Sequence, residues 1–183
     1  MRKSETYSAE EILEDRIEAV QRRRELRRFL TECIMAAAVV YLVFHYVAGL
    51  AFVSGSSMEP SLKNGELAVF YRLDPEYQTG DIVIIHREEN MEYIKRIAAE
   101  PGDVVDITEE GKVLVNGKPE EGFPNGGWTS PSGSEISYPY TVPENCYFVL
   151  GDNREKSKDS RDFGAVTEDE IVGRICVHLG MAR

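Results

Sequence analysis

Tyr93-Ile94-Lys95-Arg96-Ile97-Ala98, followed by the turn Pro101-Gly102 and then Val104-Val105-Asp106-Ile107, is the stretch that decides the fold. Aromatic and β-branched residues in short runs broken by Pro-Gly predict strands joined by a tight turn. Side chains alternate along a strand, so Lys95 shares a face with Tyr93 and Ile97 while Arg96 points to the other. One cation therefore faces apolar neighbours, where a lone lysine most commonly snorkels out from a strand edge. Outward from this stretch the same pattern recurs at 67–71, 81–86, 112–115, 147–150 and 171–179, with turn signals at Asn64-Gly65, Thr79-Gly80 and Asn116-Gly117. Asn-Gly directly after Val113-Leu114-Val115 predicts a two-residue hairpin. The chain from residue 54 to 183 is thus expected to be mainly antiparallel β. Residues 118–145, rich in Gly, Pro, Ser and Asn, are expected to form an irregular loop region.

Upstream the pattern is different. No Asp, Glu, Lys or Arg stands between Glu32 and Glu59, and residues 33–53 are apolar almost throughout. As a helix they would rise roughly 32 Å, matching a hydrocarbon core of about 30 Å. This predicts a transmembrane helix over 33–53. Gly49, Leu50 and Ala51 resemble a signal-peptide cleavage site, but the apolar run is too long for a cleaved signal and a 32-residue segment precedes it. Arg22, Arg23, Arg24, Arg27 and Arg28 flank the N-terminal side, whereas the other side has no positive charge until Lys63. Positive charge stays inside, so residues 1–32 are expected in the cytoplasm and 54–183 on the extracytoplasmic side of the cell membrane, with a single pass between. Ser8 and Glu11 form a capping box opening a charged helix to about residue 30. His45, inside the span, reads as a helix contact or near-interface residue rather than an ion path.

The formal net charge is -11, and the excess lies downstream: residues 1–28 hold eight Lys/Arg against seven Asp/Glu, residues 53–183 thirteen against twenty-four. A nucleic-acid partner is not expected, because phosphate contacts need clustered cations. Cys33, Cys146 and Cys176 have neither disulfide-scaffold nor zinc-site spacing. Neither a metal nor a cofactor is expected. Cys146 and Cys176 lie in apolar strand-like contexts, either as free thiols or as a pair.

Two further segments carry chemistry. Ser54-Gly55-Ser56-Ser57-Met58-Glu59-Pro60-Ser61-Leu62 holds small residues and hydroxyls directly beyond the span; alone it would read as a linker. Gly151-Asp152-Asn153-Arg154-Glu155-Lys156-Ser157-Lys158-Asp159-Ser160-Arg161-Asp162-Phe163-Gly164 is a polar loop leaving the apolar run 147–150; alone it would read as a solvated turn. Together with Tyr93 to Ala98 and Gly80-Asp81, their order and spacing resemble the conserved boxes of the type I signal peptidases, and the resemblance runs from Cys33 onward.

The resemblance implies a fold, a reaction and roles for named residues. The fold is a membrane helix followed by the antiparallel β catalytic domain shared with the self-cleaving repressors. Ser57, directly before Met58, corresponds to the nucleophile, and Lys95, directly before Arg96, to the general base. Ser157 corresponds to the serine that hydrogen-bonds the lysine, Asp159 and Arg161 to the charged residues that brace the site, and Asp152 to the acid of the same box. Gly55 is as in the Gram-positive form, where other members carry a serine that completes the oxyanion hole. Ser61 stands where threonine is usual and Ala99 where glycine is frequent. The substrates implied are signal-peptide-bearing preproteins emerging from the secretion machinery at the lipid bilayer, cut after small residues at -3 and -1. A self-cleaving repressor would need a DNA-binding helix-turn-helix, and the N-terminus offers one charged helix and a span. A silent binding domain would not need Ser57, Lys95 and Ser157 together.

The chemistry sets a condition. A lysine can deprotonate a serine only when neutral, and its ordinary pKa is about 10.4, so activity near neutrality requires lowering it by roughly 2 to 3 units. Desolvation on an apolar strand face is the expected cause. Asp159 would oppose it, and is therefore expected to pair with Arg161 or Arg96. A four-residue link from Val53 to Ser57 reaches at most about 13 Å, which would keep the site near the membrane surface.

Overall fold

A computed structural model describes residues 9–73, 76–87, 91–120, 123–124, 128–130 and 136–180. It divides into two units, residues 1–45 and 46–183.

The first unit is one continuous helix, α1 (Ala9–Leu42), that runs into a wider π-type turn over Val43–Val47. It contains one stretch long and apolar enough to cross a bilayer. Arg22 to Arg28 and the apolar residues share this helix without a break, since no Gly or Pro interrupts residues 9–47. The capping box expected at Ser8 lies outside the described residues. His45 stacks on Tyr41, ring centroids 5.5 Å apart, in keeping with a helix contact.

The predicted span of 33–53 needs one correction: its last residues are not helical. Ala48–Phe52 form strand β1, paired in antiparallel register with β2 (Leu67–Tyr71), so that Gly49 faces Phe70 and Leu50 faces Val69. Gly49 is buried beneath the Phe70 ring, which a Cβ would overlap. An uncharged apolar run looks the same whether it enters lipid or a sheet, and here packing on Phe70 decides. Residues 29–47 remain for a crossing and rise about 28 Å as a helix.

The remaining strands are β3 (Ile82–Arg87), β4 (Met91–Ala99), β5 (Val104–Ile107), β6 (Val113–Val115), β7 (Lys118–Pro119), β8 (Tyr140–Thr141), β9 (Cys146–Leu150), β10 (Val166–Thr167) and β11 (Ile171–Leu179). Among the described residues they make a seven-stranded sheet, in the order β1-β2-β11-β3-β4-β9-β10, and a four-stranded sheet, β7-β6-β5-β8. All pairings are antiparallel. The expected hairpin forms, β6 to β7, with Asn116 and Gly117 both at positive φ. The region expected to be irregular, 118–145, contributes two short strands, β7 and β8, to the smaller sheet.

β9 is buried on both faces, which is why its sequence Cys-Tyr-Phe-Val-Leu shows no polar alternation. Tyr147 and Val149 join Val83, Ile85 and Ile97 in one core, while Phe148 and Leu150 join Val105, Ile107, Val113 and Val142 in the core of the smaller sheet. A third cluster, Val53, Met58, Leu62 and Ala68, lies under the β1–β2 connection. Cys33, Cys146 and Cys176 are free thiols; Cys146 is on β9 and Cys176 on β11, strands that are not neighbours.

Candidate active site

The connection between β1 and β2 carries Ser57. Its two ends are clamped together, the Val53 N–H donating to the Glu66 carbonyl at 2.9 Å and the Gly65 N–H to the Val53 carbonyl at 2.8 Å. Met58 and Leu62, 2% and 0% exposed, plug the connection into the third cluster. Met58 thus fixes the backbone beside Ser57. Gly55 has φ of 91°, a left-handed conformation suited to glycine, and its N–H is held by Asn64 Oδ1 at 2.9 Å. The Ser57 N–H makes no hydrogen bond among the described residues.

Lys95 comes from β4, on the face the alternation predicts, 2% exposed beside the fully buried Ile97 and with its ammonium 5.5 Å from the Tyr93 ring centroid. It does not snorkel. Lys95 Nζ donates to Ser57 Oγ at 3.1 Å and to the Ile94 carbonyl at 3.0 Å. Burial lowers its pKa from 10.5 to about 8; Asp159 opposes the shift, Arg161 assists it and Asp152 opposes it more weakly. Ser57, Met58, Tyr93, Ile94 and Lys95 line a groove of about 250 Å³ that runs along Leu50 to Gly55 of the β1 edge.

The loop 151–164 locks against both. Gly151 has no room for a side chain: a Cβ would meet Ser157 Oγ and the Ser57 carbonyl. The Asn153 N–H donates to that Ser57 carbonyl at 2.9 Å. Asp159, fully buried, pairs with Arg161 through Nε–Oδ1 at 2.8 Å and Nη2–Oδ2 at 3.0 Å, and accepts the Gly151 N–H at 3.0 Å. It also caps the short helix α2 (Ser160–Phe163), with the Asp162 side chain reaching back to the Asp159 N–H. The expected Asp159–Arg161 pairing is formed. Asp152 instead pairs bidentately with Arg96, at 2.8 and 2.7 Å.

One implied contact is not formed. Ser157 Oγ is buried and makes no hydrogen bond among the described residues. Lys95 directs its ammonium to Ser57 and to its neighbouring carbonyl, and Ser157 is pressed over Gly151 instead.

Sequence reasoning missed several residues. Arg96, read as the residue on the opposite face and as one of two partners open to Asp159, pairs with Asp152 and also donates to the Gly80 carbonyl and to Ser61 Oγ, so it ties three segments together. Arg154, 5% exposed, pairs with Glu120, and Ser160 accepts the Val149 N–H through its hydroxyl. A lone arginine in the apolar run 93–98 and another in the polar loop 151–164 were the available signal, but which acid each would choose depends on loop closure.

The arrangement is a serine hydroxyl in contact with a buried lysine of lowered pKa, set in a groove beside an edge strand. The family model described as "Signal peptidase, peptidase S26" matches residues 26–179. Signal peptidase IB of Staphylococcus aureus is 32% identical over 172 residues, covering 84% of this chain and 88% of its own. Signal peptidase I of Bacillus caldolyticus is 32% identical over 173 residues, covering 85% and 89%. A solved signal peptidase I from Enterococcus faecalis, 28% identical, covers 55% of this chain and 97% of its own with a TM-score of 0.47. On the extent of the family match and of the two sequence relatives at 32% identity, the chain belongs to the signal peptidase family, peptidase S26, and is a serine peptidase.

Proposed function

We propose that this serine peptidase removes signal peptides from exported preproteins with Ser57 as nucleophile and Lys95 as general base. The observation that carries the assignment is the 3.1 Å contact between Lys95 Nζ and Ser57 Oγ, with the lysine buried and its pKa lowered to about 8. When Lys95 is neutral the bond reverses: the hydroxyl donates to the amine, and the proton leaves as Oγ attacks the scissile carbonyl. The Ser57 N–H, without a hydrogen bond among the described residues, is the donor for the developing oxyanion. The Gly55 N–H is already committed to Asn64, so a second donor from that residue is not available. Protonated Lys95 passes its proton to the departing amine of the mature chain. Lys95 then deprotonates a water, which attacks the acyl carbonyl, and Lys95 returns that proton to Ser57 Oγ as the ester bond breaks, releasing the signal peptide with a free carboxyl terminus.

The groove accounts for the substrate. The edge strand β1 offers unpaired backbone groups to an extended peptide, and Phe52, Val53, Met58, Ile84 and Ile94 leave shallow apolar space for small residues at -3 and -1. Arg22 to Arg28 beside the apolar stretch of α1 support a cytoplasmic N-terminus by the positive-inside rule, with the β unit acting on the far side of the membrane, where preproteins emerge.

The test is cleavage of a preprotein with Ala at -3 and -1, in lipid or detergent, by the full chain. Ser57→Ala and Lys95→Ala are each expected to lower kcat by about 10³-fold or more. Ser57→Ala cutting as well as the parent would overturn the assignment.

A further inference from the structure

Outside the dyad, Arg154 is a buried cation with a partner at every guanidinium nitrogen. Its Nε donates to the Gly151 carbonyl at 3.1 Å and Nη1 to Thr129 Oγ1 at 2.9 Å, while Glu120 takes Nη1 on Oε1 at 2.7 Å and Nη2 on Oε2 at 2.8 Å. The Phe123 ring lies 4.7 Å from the Arg154 guanidinium and 5.7 Å from that of Arg96. One ring therefore spans the cation paired with Glu120 and the cation paired with Asp152. Thr129 is itself anchored, its N–H donating to the Gly111 carbonyl at 2.9 Å, with Trp128 packed over Gly111 where a Cβ would clash. The backbone of Arg154 is held too, its carbonyl accepting Arg161 Nη2 at 2.7 Å.

We infer that Glu120, Phe123 and Thr129 are positioning residues for the Ser57 backbone, acting through Arg154 on the turn 151–154. This rests on the reading of Ser57 and Lys95 as the dyad. The turn holds the Ser57 carbonyl through the Asn153 N–H, and Arg154 pins the start of that turn by its bond to the Gly151 carbonyl. Arg154 can remain buried there only while Glu120 neutralises it, because a guanidinium cannot lose its proton and an unpaired buried charge is strongly disfavoured. Without Glu120 the guanidinium must reach for water. It then withdraws from the Gly151 carbonyl and releases the Asn153 N–H from Ser57. None of these three residues touches substrate or a reacting atom; each acts at one remove, and small displacements of a nucleophile have large kinetic effects.

The decisive variant is Glu120→Gln in the full chain, assayed with the Ala-x-Ala preprotein and normalised to folded molecules. We expect kcat to fall by about 10-fold or more with KM within about 2-fold, since orientation rather than binding is lost. The acidic limb of the pH profile should move toward alkaline pH as water reaches Lys95. Backbone hydrogen exchange at Asn153 should quicken. Phe123→Leu, which keeps the ion pair, is a milder second variant with about a 3-fold fall expected. Val113→Ala, in the core of the smaller sheet, controls for stability alone: it should lower Tm and leave kcat per folded molecule unchanged. A Glu120→Gln enzyme with parental kcat, pH limb and Asn153 exchange overturns the inference. If Ser57→Ala still cleaves, the dyad reading fails, and Asn153 exchange still judges the strap separately.

Discussion

Lys95→Met tests the physical basis of the site through stability. Lys95 is 2% exposed and its pKa falls from 10.5 to about 8. Between these values the unfolded chain keeps a proton that the native chain has released, so native stability rises with pH across that window. At 1.36 kcal/mol per unit, the buried ammonium costs the fold about 3 kcal/mol below pH 8, and nothing above 10.5. Methionine has similar shape and no charge, so the variant escapes the pH-dependent cost. It also loses the bonds to Ser57 Oγ and the Ile94 carbonyl, but that loss does not follow the same titration. The quantity to measure is the stability difference between Lys95→Met and the parent, by denaturant unfolding in detergent at pH 7 and pH 10.5. It should shift by about 3 kcal/mol in the variant's favour at the lower pH. A difference that stays flat across that range would refute desolvation as the cause of the lowered pKa.

Other outcomes follow from the same geometry. For the parent enzyme, kcat should rise along an acidic limb centred near pH 8; at pH 7 about 9% of Lys95 is then neutral, against about 0.03% for an ordinary lysine. Asp159→Asn should move that limb to lower pH, because Asp159 is the largest group opposing the shift and its removal leaves Arg161 to repel the ammonium. The same variant should lose roughly 3 to 5 kcal/mol of stability, readable as a lower Tm, because Arg161 is left buried without its partner. Gly49→Ala should destabilise the β1–β2 pair by about 1 to 3 kcal/mol through overlap with the Phe70 ring, with Phe70→Leu restoring much of it in the double variant.

The parts of the molecule that could be anticipated are those governed by local periodicity. β2, β5 and β11 occupy the runs predicted for them, and Lys95 lies on the predicted face beside Ile97. The Asn116-Gly117 hairpin needed only its own residues. What escaped prediction depends on partners distant in sequence. Ala48 to Phe52 became a strand because Phe70 and the β2 backbone receive it, and nothing within those residues distinguishes a sheet edge from lipid. The choice of Arg96 for Asp152, 56 residues apart, is made by the folding of one loop over β4. Ser157 was assigned a bond to Lys95 by resemblance alone, and its contact over Gly151 is steric. β7, β8 and β10 are two residues each, too short to carry a period.

The place of β11 in the sheet has a consequence for timing. Residues 171–179 lie between β2 and β3, so among the described residues strand pairing joins the hairpin bearing Ser57 to the hairpin bearing Lys95 only through them. During synthesis both hairpins emerge well before β11. Until it arrives no sheet holds the hydroxyl against the amine, and the nascent chain is a protease without a competent site. The peptidase thereby gains its activity only once residues 171–179 have paired on both sides.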